Sequence, residues 1–301
     1  MNRDVRVAMN TGVFPISRHP YLLHLRLGFN LLLSPIYLWG VFLAAGDPAN
    51  PRLWLGYLSL HLFLYGGTTA FNSFYDRDEG PIGGMFEPPP VDPGLLRFSL
   101  VVQALGLLPA ALVGLPFLSA WLFLFLIFTA YSHPAVRFKA NPGTALAAIA
   151  FGQGAVGFTL GWFAVSPPQG LLSPAGVWGM LSTALIVTGL YVISQSYQVQ
   201  EDRARGDRTL PVMLGARRAL LVACLPLAAG GLLLGGWVGV RLGWEWAGGL
   251  AIFFLALALW LVRRASRFEE GDVRRNFGWA MRFVTTASGG LSLFLLLHLF
   301  L

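Results

Sequence analysis

The sequence predicts an all-α integral membrane bundle of about nine transmembrane helices, a single domain over residues 1–301, and three observations predict it. The first is composition: of 301 residues, 55% are hydrophobic and 12% charged. With a mean hydropathy of +0.63, that is too little charged surface for a soluble globule. The second is a succession of apolar runs of about 17 to 23 residues, the length a helix needs to cross a bilayer. The third is the placement of basic residues, which fall almost entirely between alternate runs.

The runs lie at about 27–45, 53–71, 98–115, 117–132, 143–164, 176–197, 219–240, 246–262 and 279–301. The first 24 residues are polar and basic, with no apolar core and no small-residue cleavage site, so the first helix is expected to be retained. Between the third and fourth runs, Gly114 to Ser119 must turn tightly around Pro116, since a fused helix would overrun any bilayer. The fifth carries Gly152, Gly154, Gly157 and Gly161, and the seventh Gly230, Gly231, Gly235, Gly236 and Gly239, a small-residue spacing suited to close helix packing. Cys224, the single cysteine, lies inside the seventh run, which excludes an intrachain disulfide and a cysteine-based metal or redox site. Asn30, Gln103, Gln153 and Gln195 are polar groups within spans, and either line a site or bind helices together.

A cytoplasmic N-terminus puts all but Arg52 and Arg241 of the 21 Lys and Arg residues on the cytoplasmic side, Arg3, Arg6 and Arg18 among them. This is the positive-inside pattern of a cell-membrane protein, and it removes nucleic acid as the reason for a pI near 10.1. The cytoplasmic loops are also the long, chemically varied ones, so function is expected there. The five histidines are dispersed without metal-ligand spacing. Trp39, Trp54, Trp162, Trp178, Trp244 and Trp246 read as interfacial anchors near span ends, and Arg263 to Arg275 as a solvated linker. Gly80 to Gly84 follows no strand and precedes no phosphate-loop lysine, so it is not a nucleotide-binding loop.

Three loops carry chemistry. After the second run comes Asn72-Ser73-Phe74-Tyr75-Asp76-Arg77-Asp78-Glu79-Gly80. If the helix continues, Asn72 and Asp76 share one face, and two oxygen donors aimed together suit Mg²⁺; a helix end with solvated charges is the alternative. After the sixth comes Gln198-Val199-Gln200-Glu201-Asp202-Arg203-Ala204-Arg205-Gly206-Asp207-Arg208-Thr209-Leu210-Pro211, where Gln198 and Asp202 repeat the four-residue spacing. Both pairs are offset by the same interval, which points to a four-helix unit used twice, followed by a final helix. After the fourth comes Tyr131-Ser132-His133-Pro134-Ala135-Val136-Arg137-Phe138-Lys139. There Arg137 and Lys139 either clamp phosphate or anchor the helix to the cytoplasmic face, and Tyr131 offers a ring face to a cation.

These three segments, in this order across nine spans, resemble the UbiA superfamily of intramembrane prenyltransferases. Members carry Asn-Asp-x-x-Asp-x-x-x-Asp after the second helix, Tyr-Ser-x-Pro with basic residues after the fourth, and Asp-x-x-x-Asp with Arg-Thr-Leu-Pro after the sixth. The resemblance implies Mg²⁺-dependent transfer of a polyprenyl group from its diphosphate to an aromatic or lipophilic acceptor. It implies Asn72, Asp76, Gln198 and Asp202 as metal ligands, Asp76 and Asp202 foremost in catalysis. Lys139, Arg137, Arg203, Arg208 and Tyr131 become contacts to the diphosphate substrate. Partners are then a polyprenyl diphosphate, a lipophilic acceptor and membrane lipids. Four positions depart from the family text. Ser73 and Gly80 replace acids of the first motif, Gln198 replaces one of the second, and Glu87 stands where relatives often have a phosphate-binding Arg. Each change removes charge the mechanism uses, so a looser metal site is expected. Asp78, Glu79 and Glu201 lie nearby, but a helical neighbour points about 100° away, so their use requires local unwinding. A terpene cyclase and a non-catalytic isoprenoid-binding descendant are the other classes this pattern allows.

Overall fold

The computed structural model describes residues 19–300; the expectations for Arg3, Arg6, Arg18 and the N-terminus fall outside them. Among the described residues, eight helices are long and apolar enough to cross a membrane. They are α1 (Pro20–Leu43), α3 (Gly94–Val113), α4 (Leu115–Ser132), α5 (Pro142–Phe163), α6 (Pro174–Gln195), α7 (Ala216–Leu242), α8 (Trp244–Ser266) and α9 (Val273–Phe300). The ninth, α2 (51–76), is helical throughout. It is less apolar because Ser59, His61, Thr68, Thr69 and Asn72 stand among its leucines. The chain is a multi-pass integral membrane protein.

Several starts share one device. Asn50, Asn141 and Ser173 each accept a hydrogen bond from a backbone N–H of the following first turn, and Pro51, Pro142 and Pro174 follow at the first helical position, where a missing N–H costs nothing. The turn expected between the third and fourth spans is shorter than Gly114 to Ser119. Gly114 alone, at φ +143°, reverses the chain, and Pro116 sits inside the first turn of α4. Gly243, at φ +118°, joins α7 to α8 in the same way.

Close packing at small residues places the helices. A Cβ on Gly161 of α5 would lie 2.0 Å from the Tyr37 carbonyl of α1, and one on Gly40 would lie 2.2 Å from the Phe158 carbonyl, so α1 and α5 touch backbone to backbone. Around them α2 packs on α3 and α4, α5 on α4 and α6, α7 on α6 and α8, and α9 on α1 and α6. Helices α1, α2, α4, α5, α6 and α9 line a central cavity, while α3, α7 and α8 contribute nothing to its wall.

Two sequence expectations are corrected. Trp39 and Trp162 are core residues, at 0% and 4% exposure, not interfacial anchors; Trp39 donates its indole N–H to Ser182 Oγ at 3.1 Å, which satisfies it in the interior. The linker is shorter than Arg263 to Arg275: 267–272 alone join α8 to α9, the flanking residues belong to those helices, and buried Arg264 bonds Asn276.

Candidate active site

The cavity has a volume of about 260 Å³. Its interior is apolar, built from Phe29, Leu33, Ile36, Phe128, Ile149 and Leu190 among others, and one end is densely charged. That end collects the loops after α2, α4 and α6, the three segments singled out by the sequence.

Helix α2 ends at Asp76 because Arg77 turns left-handed, at φ +50°. This is the unwinding that recruitment of Asp78 requires. Its side chain, which a continued helix would aim about 100° from Asp76, is instead 4% exposed and ion-paired with Arg205. The second pair sits differently from the expectation. Helix α6 stops at Gln195, and a separate short helix, Val199–Arg205, starts with Gln198 at its N-cap. Gln198 and Asp202 remain one turn apart, the Asp202 N–H donating to the Gln198 carbonyl at 2.9 Å, but on a new axis. Gly206, at φ +79°, ends this helix and lets the Asp207 N–H return to the Asp202 carbonyl at 2.9 Å.

The result is a dense ionic cluster. Asp76 pairs with Lys139 and, at 3.4 Å, with Arg137. Arg137 also forks onto Asp207, Nη2 to Oδ2 at 2.9 Å and Nε to Oδ1 at 3.2 Å. Arg205 is the hub: it meets Asp78, Asp202 at 3.3 Å and Asp207 at 3.6 Å, and donates to the Asp76 carbonyl at the C-terminus of α2, where the helix dipole favours a cation. Burial pushes the Asp202 carboxyl up to about 6, against the pull of Arg205 and a hydrogen bond from Thr209. Burial likewise lowers the Lys139 ammonium, although Asp76 opposes it. Asn72 donates to Ser132 Oγ at 3.0 Å, leaving its amide oxygen uncommitted. Tyr131 and Tyr191 share a hydrogen bond at 2.7 Å, and Gln195 donates to Tyr191.

Of the sequence-selected residues, Asn72, Asp76, Tyr131, Lys139, Gln198 and Asp202 line the cavity, and Arg137 braces it from beside Asp76. Arg203 and Arg208 are exposed and do not line it; Arg208 contributes its backbone N–H to the Ala140 carbonyl. Glu87 is also exposed and away from the cavity, so it does not stand beside a phosphate site. At Gly80, a Cβ would lie 2.7 Å from Glu201, whose carboxylate accepts the Glu79 N–H, so an acid from the opposite loop fills the space where the family text has Asp. Sequence reasoning assigned no site role to Arg26, Tyr191, Arg205, Asp207 or Thr209, and made Asp78 conditional on local unwinding; all of them line the cavity. Gly206, a helix stop after an acid-base run, was the readable signal for Asp207. Gln153 faces the cavity, whereas Gln103 lies outside it and bonds the Ser99 carbonyl.

No three His, Cys, Asp or Glu side chains among the described residues converge as a metal cage. Every carboxylate here already has a Lys or Arg partner. Mg²⁺ takes one or two carboxylates and completes its shell with water and phosphate. The donor set therefore fits an ion that arrives with a diphosphate, with Asp76 and Asp202 as carboxylates and Asn72 and Gln198 as amide donors.

Residues 33–287 match the UbiA prenyltransferase family. Over 108 residues the chain is 35% identical to the lycopene elongase/hydratase of Halobacterium salinarum, covering 35% of this chain and 34% of that protein, so the match spans about a third of the relative's length. Among solved structures, a UbiA homolog from Archaeoglobus fulgidus bound to Cd²⁺ superposes with a TM-score of 0.64 at 19% identity, covering 91% of this chain and 100% of that one. The same homolog bound to DMAPP and Mg²⁺ gives 0.63 at 20% identity, covering 91% and 99%. Digeranylgeranylglyceryl phosphate synthase gives 0.61 at 14% identity, covering 91% and 96%. At these identities the structural likeness is one of fold.

Proposed function

The chain belongs to the UbiA prenyltransferase family, and from that premise we propose that it transfers a prenyl group from an allylic diphosphate to an apolar acceptor, with Mg²⁺, at the cytoplasmic face of the cell membrane, its N-terminus cytoplasmic. The observation that carries this is one cavity with two chemistries: a charged end of four carboxylates and three bound cations, Asp76, Asp78, Asp202 and Asp207 with Arg137, Lys139 and Arg205, opening into an apolar interior. The charged end suits a diphosphate, and the interior suits an isoprenoid chain.

Bound Mg²⁺ supplies charge neutralisation of the leaving diphosphate. The protein's own groups then exchange partners. Asp76 and Asp202 would hold the metal, and Lys139, Arg137 and Arg205, their partners here, would take phosphate oxygens, so no buried charge would be left alone. As the allylic carbon–oxygen bond breaks, its electron pair leaves on the diphosphate. The acceptor's π electrons form the new carbon–carbon bond, and the resulting cation loses a proton to the departed diphosphate. Tyr131 and Tyr191 lie beside the path of that cation and offer ring faces to it.

An alkene acceptor is favoured over a polar aromatic one. Asn30 and Gln195 are tied to protein partners, which leaves Gln153 as the one deep amide facing the cavity without a protein partner among the described residues. The name of the Halobacterium salinarum relative supports a hydrocarbon acceptor. The test is pyrophosphate release by detergent-purified protein with dimethylallyl, geranyl, farnesyl and geranylgeranyl diphosphates, with or without Mg²⁺ and an acyclic polyene. Release that needs both Mg²⁺ and polyene is expected. Release without acceptor would replace transfer by internal cyclisation, and failure to bind any diphosphate would replace it by a non-catalytic role.

A further inference from the structure

The first helix breaks where no proline or glycine demands it. Arg26 turns left-handed, at φ +47°, between the helical pieces Pro20–His24 and Leu27–Asn30. A non-glycine residue held there costs on the order of 1 kcal/mol and persists when its surroundings impose it. The surroundings are specific. Asn30 donates to the Leu25 carbonyl at 2.8 Å, and the single Thr69 hydroxyl proton of α2 is shared among the carbonyls of Leu25 at 2.9 Å, His24 at 3.1 Å and Gly66 at 2.9 Å. These two side chains satisfy carbonyls around the break and hold it open.

The break sends the Arg26 side chain to the cavity wall. Its Nη2 donates to Ser73 Oγ at 2.6 Å, and among the described residues its Nε is buried without a partner and no carboxylate lies within ion-pair distance. The other cavity cations are engaged: Lys139 by Asp76, and Arg205 by Asp78, Asp202 and Asp207. Arg26 is therefore the lining cation without a carboxylate among the described residues. Ser73 stands where the family text has an acid, and Glu87, where an Arg is common, lies outside the cavity. With a hydroxyl and no carboxylate at 73, the cation at 26 stays available. Ser73 precedes Asp76 by three residues on α2, so the guanidinium lies about one turn, roughly 5 Å, deeper than the ionic cluster, on the side of the apolar interior.

We infer that Arg26 is an anion-binding residue of this site, taking the phosphate nearest the prenyl chain, where negative charge grows as the carbon–oxygen bond breaks. The inference rests on the diphosphate reading above and adds a residue and a phosphate position to it. A guanidinium with free N–H donors matches phosphate oxygens better than an ammonium does. Leaving Arg26 unpaired at rest means that its first full counter-charge arrives with substrate.

The test measures affinity for inorganic pyrophosphate with Mg²⁺, by calorimetry and by ligand-induced thermal shift against each variant's own baseline. R26Q is expected to bind roughly 10- to 100-fold more weakly, the worth of a hydrogen bond to a charged group. S73D keeps Arg26 and supplies it with a carboxylate; it too is expected to weaken binding, although it restores an acid to the motif. S73A removes the hydroxyl contact and is expected to bind at least as tightly as wild type. Pyrophosphate affinity within about threefold of wild type in R26Q, or tighter binding by S73D, overturns the inference while leaving the diphosphate site intact. If wild type binds no pyrophosphate, the reading beneath it fails instead. Loss in R26Q of binding to an aromatic carboxylate, with pyrophosphate affinity unchanged, would reassign Arg26 to an acceptor and also overturn it.

Discussion

Removing Asp76 separates the structural from the chemical work of the ionic cluster. Its carboxylate is 6% exposed and is the anion bonded to Lys139, itself 10% exposed. Asp76→Ala leaves buried Lys139 without its ion-pair partner, and breaking such a pair from one side costs about 3 to 5 kcal/mol. The lower end applies, because Arg137 keeps its fork on Asp207 and is 23% exposed. Lys139→Met costs less, about 1 to 2 kcal/mol, since Asp76 retains Arg137 at 3.4 Å. In Asp76→Ala/Lys139→Met both buried charges are gone, and the loss is expected to shrink toward that of the milder single variant, a coupling of about 2 kcal/mol. At about 2 to 4 °C per kcal/mol, thermal unfolding in detergent resolves these differences. Turnover follows another rule: Asp76→Ala and the double variant are both expected to be inactive in pyrophosphate release. Additive melting losses would refute the pairing argument, and a wild-type rate for Asp76→Ala at saturating Mg²⁺ would refute the metal role.

Three further outcomes are expected. Because burial holds Asp202 near 6, above its usual 3.8, the carboxyl is neutral in folded and unfolded chains below about pH 4, and its ionisation in the fold is penalised above pH 6. Asp202→Asn is therefore expected to stabilise the fold at pH 7.5 by up to roughly 3 kcal/mol, a gain that melting curves should show fading by pH 4; wild-type Mg²⁺-pyrophosphate affinity should fall as pH drops through 6, and a flat profile would contradict this. Gly206→Ala meets open space at its Cβ but must hold φ +79°, so a loss of about 1 kcal/mol is expected, together with weaker pyrophosphate binding as Asp207 shifts. Gly161→Ala puts a methyl 2.0 Å from the Tyr37 carbonyl; a melting loss beyond that of Gly206→Ala is expected, and an unchanged melting curve would mean that α1 and α5 do not touch there.

What the sequence conveyed about this fold, and what it withheld, divides by interaction range. Spans were legible because bilayer thickness fixes helix length, and only their ends moved: 176–197 became Pro174–Gln195 because the chain turns before Gln198 to start a new axis. Asn72, Asp76 and Asp202 were legible because a spacing of four survives wherever a local helix forms, even on two different axes. Asp78 was left conditional for a physical reason. Helical geometry turns residue 78 away from residue 76, and nothing in the local sequence announces that Arg77 goes left-handed. Arg205 was counted among positive-inside residues, since composition cannot distinguish a cation facing lipid headgroups from one surrounded by three carboxylates. Arg26 is the extreme case. Its backbone break is held by Asn30 together with Thr69, the latter more than forty positions along the chain, so a local reading continues the helix through it. The charged end of this cavity is thus assembled from three left-handed residues, Arg77, Arg137 and Gly206, with a fourth at Arg26. Two of the four introduce a side chain, Asp78 or Asp207, that helical continuation would have carried elsewhere, which is why an acid-poor motif still builds a site with four carboxylates.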